Sequence, residues 1–170
     1  MSPNMNATYK KRTVTFLSTI LWATVAFHSP SLAQTSHGTD VAVVVNSDTP
    51  VADLSLSEVR KVMLGERQYW SSKLPVVLLI RAPAARERDV VLRVIYQMSE
   101  AQFKQYWVAK IFRAEAAAPP RIVYSNDMQF ELLTALPGAI AFVDSRNMRP
   151  GVKVLRVDGH VPGDKDYPLR

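Results

Sequence analysis

The sequence predicts an α/β domain with a mostly parallel mixed sheet of about five strands flanked by helices. Three observations carry that expectation. Short runs rich in Val and Ile recur along the chain ("DVAVVVN", "VVLLI", "RIVYS", "AIAFVD", "VKVLRVDG"), each of strand length. Segments with helical spacing of apolar residues stand between most of them, and that alternation favours a parallel sheet with covered faces. Cys is absent, so neither disulfides nor thiolate metal sites can staple the chain, and a core must hold it.

The first 33 residues read as a secretory signal peptide. Lys10, Lys11 and Arg12 form the positive start, "TVTFLSTILWATVAF" the apolar middle, and Ser31 and Ala33 the small residues of a cleavage site. The apolar run is shorter than the ~20 residues that a membrane span needs. Cleavage after about Ala33 is therefore expected rather than anchoring, and no Cys follows to carry a lipid. The export signal without Cys points to a bacterial periplasm. Losing the three basic leader residues halves the net charge of +6. So mild a bias does not argue for nucleic acid. Residues 34–39 then form a polar tether, 40–158 the α/β domain, and 159–170 a polar C-terminal tail expected to fray.

Within the domain, "DVAVVVN" is a strand of the kind buried on both faces. A loop leads to "SLSEVRKVMLG", where Ser55 and Glu58 make a capping box and Gly65 is a natural residue to follow the helix. Leu56, Val59, Val62 and Met63 share one face of that helix. "ERQYWSSKLP" is a turn with two aromatics, and "VVLLI" is the second strand. A helix is predicted around Val90–Met98, and Ser99 with Gln102 caps another, "EAQFKQYWVAKIF", with Phe103, Tyr106, Trp107 and Ile111 as its apolar stripe. After a linker, "RIVYS" is the third strand. "NDMQFELLTAL" is a short helix stopped by Pro137-Gly138. "AIAFVD" and "VKVLRVDG" complete the sheet.

Ligands of such sheets sit at the carboxyl ends of strands, in the loops leading into helices. The candidate loops are therefore Asn46–Leu54, Arg81–Asp89 and Ser125–Asn126. The middle one, "RAPAARERD", carries Arg81, Arg86 and Arg88 beside a predicted helix N-terminus. Unpaired N–H groups and the helix dipole favour an anion there, and guanidinium forks match its oxygens. Glu87 and Asp89 interleave with them, and on composition alone the run also reads as a solvated charged corner. Tyr69 and Trp70 offer either a partner-binding aromatic surface or a plug for the turn. Tyr106 and Trp107 read as core. His37 and His160 lie in terminal segments without a partnering nucleophile, no spacing of metal ligands is present, and neither GxGxxG nor a P-loop occurs. No catalytic residue, cofactor or metal is expected, and the chain is not read as an enzyme.

The stretch "VVNSDTPVADLSLSEVRKVMLGERQYWSSKLPVVLLIR" resembles the periplasmic phosphate-binding proteins of ABC transporters. The shared pattern is a strand ending in Asn46, Leu54-Ser55, a helix ending Val62-Met63-Leu64-Gly65, Trp70, and an apolar strand ending in Arg81. "LPGAIAFVD" is similar to a further strand of that family, with Ala141 and Phe142 in place of Gly and Tyr. Closer still is the likeness to short exported one-lobe relatives of that family, through Met98, Ser99, Tyr106 and Trp107, and Ile111-Phe112 with Pro119-Pro120. The resemblance implies one lobe of a type II periplasmic-binding fold. It also implies phosphate or another small oxyanion contacted by Arg81, with Arg86, Arg88, Asn46 and Ser55 as further ligand-binding candidates. For Ser55 a role as helix N-cap competes. Two departures accompany it. The chain has room for one lobe where the family closes two around the anion. The family's Ser-Gly-Thr triplet falls near Ala85-Arg86-Glu87, which does not match it. Two readings follow: a periplasmic oxyanion-binding domain linked to phosphate uptake, or an envelope interaction module that kept the fold without the ligand. A homodimer or an envelope protein is the implied partner.

Overall fold

The computed structural model describes residues 40–71 and 73–170. The expected signal peptide and tether lie outside the described residues. Five strands form one sheet in the order β4–β3–β5–β1–β6. They are β1 (Val41–Asn46), β3 (Val77–Arg81), β4 (Arg121–Val123), β5 (Ala139–Asp144) and β6 (Val152–Val154). β3 pairs parallel with β4 and β5, whereas β1 is antiparallel to both of its neighbours, β5 and β6. Four of the five strands therefore run one way and β1 alone is reversed. A separate parallel pair joins β2 (Asp53–Leu54) to β7 (Arg156–Val157), so the run expected as a single fifth strand is divided between β6 and β7.

Every residue of β1 and β5 is buried, as their unbroken apolar runs require. Alternation sorts them onto two faces. Val41, Val43, Val45, Ile80, Ile140 and Phe142 join the core beneath α1 (Leu56–Met63), α2 (Arg86–Val90) and α3 (Glu100–Phe112). Ala42, Val44, Leu79, Ala139, Ala141 and Val143 face α4 (Asn126–Ala135) through Phe130 and Leu133. Three alanines on that side let one helix lie close to the sheet.

Both capping boxes form. Ser55 accepts from the Glu58 N–H and Glu58 returns the bond to the Ser55 N–H, and Ser99 and Gln102 do the same for α3. Gly65 follows α1 at φ +67°, and a Cβ there would lie 3.0 Å from the Trp107 ring. The helix predicted from Val90 starts earlier, at Arg86, and continues from α2 as a π-helical stretch, Val91–Tyr96, closed by Gln97 at φ +55°. Arg86 and Arg88 therefore sit on a helix rather than in a loop. In α3, Phe103 and Trp107 are buried as expected, with Tyr96 edge-on to Phe103 at 4.8 Å and Tyr106 edge-on to Trp107 at 5.6 Å. Ile111 is 40% exposed, and buried Lys110 lies over the Tyr106 ring instead.

The C-terminal tail does not fray. Tyr167 and Leu169 are buried, the Val41 N–H donates to the Leu169 carbonyl at 2.8 Å, and the Tyr167 hydroxyl donates to the Val41 carbonyl at 2.9 Å. Two apolar anchors in an otherwise polar stretch are enough to dock it.

Candidate functional site

Because β3, β4 and β5 run parallel, their carboxyl ends share one edge of the sheet, and α2 and α4 both begin there. Arg81 ends β3, opposite Val123 of β4. By strand alternation it falls on the face of Leu79, which packs on the α4 side. Its Nε and Nη1 are buried without a hydrogen-bond partner. Among the described residues the one carboxylate paired with it is that of Glu87 of α2, whose Oε2 is 3.9 Å from Nε, an ion pair too long to be a hydrogen bond.

The other two arginines of the expected cluster have different tasks. Arg88 is 2% exposed, donates from Nη1 to the Arg81 carbonyl at 2.7 Å, and grips Glu100 through Nε and Nη2 at 2.9 and 2.8 Å. Its guanidinium also lies over the Phe103 ring. Arg88 ties α2 to the end of β3 and to α3, and it has no free side for a ligand. Holding that fork lowers the Glu100 carboxyl below its ordinary range. Arg86 donates to Asp144 Oδ2 at 3.1 Å, where β5 ends. Arg146 reaches the same carboxylate through Nε at 2.9 Å and Nη2 at 2.6 Å. The Arg146 hydrogen bonds, then its N–H and the charge of Arg86, hold the Asp144 carboxyl below its ordinary range against the effect of burial.

Among the described residues, four of the six buried side-chain N or O atoms without a hydrogen bond belong to this edge: Nε and Nη1 of Arg81, Oδ1 of Asn126 and Oε1 of Gln129. Asn126 opens α4, and Gln129, one turn later, donates to the Phe142 carbonyl of β5 at 2.6 Å. Leaving such groups unpaired costs about 1–3 kcal/mol each, so the unused donors of Arg81 and the unused acceptors of α4 are costly features of this part of the fold.

Asn46 and Ser55 do not belong to it. The reversal of β1 puts Asn46 at the amino ends of the other strands, where its register partner is Val152 and Val45 faces Ile140 near the start of β5. Asn46 is buried and donates from Nδ2 to the carbonyls of Leu133 and Thr134, closing the last turn of α4, while its Oδ1 accepts the Asp48 N–H. Ser55 is the N-cap of α1. Of the aromatic pair, Trp70 is 2% exposed and donates from its indole to the Gly138 carbonyl at 3.0 Å, so it plugs the turn. Tyr69 is 57% exposed. Sequence reasoning missed Asp144, Arg146 and Gln129. An acid at the end of "AIAFVD" followed two residues later by Arg was the available signal for the first two, and Gln129 gave none.

No family model matches the chain, and no curated protein matches it in sequence. Solved structures do. An ABC-type phosphate transport receptor from Vibrio cholerae superposes with a TM-score of 0.58 at 17% identity over 72% of this chain and 48% of its own. A putative phosphate ABC transporter substrate-binding protein with bound phosphate from Clostridium perfringens gives 0.58 at 17% identity over 72% and 46%. PstS from Borrelia burgdorferi gives 0.58 at 13% identity over 76% and 53%. The fold is that of one periplasmic-binding-protein lobe. The chain spans about half the length of the solved proteins it matches, which are binding proteins rather than enzymes. In this lobe α2 opens on Ala85, an N-cap without a side-chain bond, followed by the first helical residues Arg86 and Glu87. Among the described residues no helix is long and apolar enough to cross a membrane, and no group of acidic or His side chains could hold a metal ion.

Proposed function

We propose that the domain binds a small oxyanion such as phosphate at the carboxyl edge of its sheet, with Arg81 as the principal contact and the first turn of α4 beside it. The observation that carries this reading is the pair of buried, unpartnered guanidinium nitrogens of Arg81, Nε and Nη1, in a fold whose solved likenesses include a phosphate-bound protein. Arg86 serves the site indirectly, through Asp144, and Arg88 fixes the strand end from which Arg81 projects. Asn46 and Ser55 have no part in it. The same reading places the protein in the periplasm, exported by residues 1–33 and tethered by 34–39, in a role linked to phosphate uptake and without a catalytic step.

A second reading is favoured by a specific observation: Glu87 already faces Arg81, and Arg86 and Arg88 are engaged by the protein's own carboxylates. In that case the lobe is an envelope interaction module that carries an internal anion in place of a bound one. Melting of the full chain in the presence of millimolar phosphate, sulfate and acetate separates the two. A ligand at 100 times its Kd stabilises by about 2.7 kcal/mol, and Arg81→Ala abolishes the rise. Absence of any rise in folded, ligand-free protein leaves the second reading standing.

A further inference from the structure

The opposite edge of the sheet holds a cavity of about 300 Å³ that the oxyanion reading does not use. One wall is the turn between α1 and β3, with Arg67, Gln68, Tyr69 and Pro75, and the other is the linker between α3 and β4, residues 116–119. The starts of β3 and β4 form its floor, through Val77, Leu78 and Arg121, and the Trp107 ring closes the inner end. That volume is at the lower end of the range that small-molecule sites occupy.

The walls are fixed by the fold. Trp70 is pinned to Gly138, its N–H donates to the Leu74 carbonyl, and the Val76 N–H donates to the Gln68 carbonyl. Gln68 Nε2 donates to the Glu115 carbonyl at 2.9 Å, joining the turn to the linker. A cavity braced in this way is available without rearrangement, which lowers the ordering cost of binding.

Its charges are of one sign. Arg67 and Arg121 both line it, and neither has a carboxylate within 4.0 Å among the described residues. Glu58 feels the charge of Arg67 at longer range, but its carboxylate is occupied by Ser55 in the capping box. Arg67 is held in place by its Nε donating to the Tyr69 carbonyl at 3.2 Å and by its stacking over Trp70. The other lining side chains are apolar or aromatic apart from Gln68, whose amide is engaged by the Glu115 carbonyl, and the exposed Tyr69 is among them.

We infer that this cavity is a second binding site, separate from the carboxyl edge, and that it takes a small organic carboxylate with an apolar or aromatic body. The body fills the space against Pro75, Val76, Leu78 and Trp107, and the carboxylate meets the two arginines. Inorganic phosphate lacks the body and is a poor fit.

Trp107 supplies the readout. The full chain, labelled with ¹⁵N at tryptophan, contains three indoles, and the spectrum of Trp107→Phe assigns the signal of Trp107. Benzoate, phenylacetate and hexanoate are titrated against their amides, with phosphate as a separate arm. The carboxylates shift the Trp107 signal saturably in the low millimolar range. The amides bind about fivefold to tenfold more weakly, as expected when a charge-assisted contact is replaced by a neutral one. Arg67→Gln/Arg121→Gln, both at the cavity rim, keeps the dispersed spectrum of a folded protein and loses the preference for acid over amide. The inference is overturned if no carboxylate gives a saturable shift, if acid and amide bind alike, or if the preference survives the double substitution. A phosphate shift equal to that of the carboxylates also overturns it.

Discussion

The two ends of one sheet treat arginine in opposite ways. At the carboxyl edge each guanidinium is met by an acid of the protein itself: Arg86 and Arg146 by Asp144, Arg88 by Glu100, and Arg81, at 3.9 Å, by Glu87. At the amino edge Arg67 and Arg121 flank a cavity with no acid in ion-pairing reach among the described residues. The contrast shows that a cluster of arginines is a poor guide to binding on its own. What matters is the donor capacity left after the protein has satisfied itself. At the carboxyl edge that remainder is two nitrogens of one guanidinium, and at the amino edge it is most of two side chains.

The contrast can be broken at either end. The largest effect is expected at the amino edge, from Gly138→Ala. A Cβ on Gly138, at φ +78°, would collide with the Pro75 carbonyl and push apart the turn that Trp70 anchors. A loss of about 3 kcal/mol or more is expected in urea unfolding. Next is Arg88→Met, which removes a buried fork and leaves the Arg81 carbonyl without its donor. Because Glu100 is partly exposed and can be rehydrated, the expected loss is about 2 kcal/mol, below the usual figure for a broken buried pair. Arg121→Gln, at the exposed start of β4, should change the unfolding free energy measured in urea by no more than about 0.5 kcal/mol. If Arg121 proved as costly as Arg88, the division between structural and spare arginines would be wrong.

The smallest effect is a slope rather than a step. Asp144 titrates below its ordinary range in the folded protein, so the unfolded chain binds the proton more readily. Its contribution is complete above the unfolded carboxylate range and is lost as pH falls through the folded value. Urea midpoints of the native protein should therefore decline on acidification below the usual carboxylate range, and Asp144→Asn should flatten that decline. An unchanged slope would mean that the triad with Arg86 and Arg146 contributes nothing.

Much of the fold could be read from local pattern. The capping boxes are three-residue spacings, the buried strands are unbroken apolar runs, and Gly65 marks the end of α1. What could not be read is what depends on distant pairing. "VAVVV" says that β1 is buried but not which way it runs, and its reversal moved Asn46 from the expected site to the far edge. Arg86 finds its acid 58 residues away, where no spacing rule reaches. Nothing in "VLRVIY" marks a π-helical stretch. Arg81 was legible because a strand end followed by a helix is a local signal, whereas the acids around it were visible only as a charge run.

The position of β1 has a consequence in time. It is the first strand of the sheet to be made, yet it lies between β5 and β6 and is fastened by Leu169. Until residues 139–169 have emerged from the ribosome, β1 is a bare apolar strand with neither edge paired. The centre of this sheet is therefore closed by contacts of long sequence separation, and such pairing costs loop-closure entropy before it is rewarded, which makes the sheet slow to form.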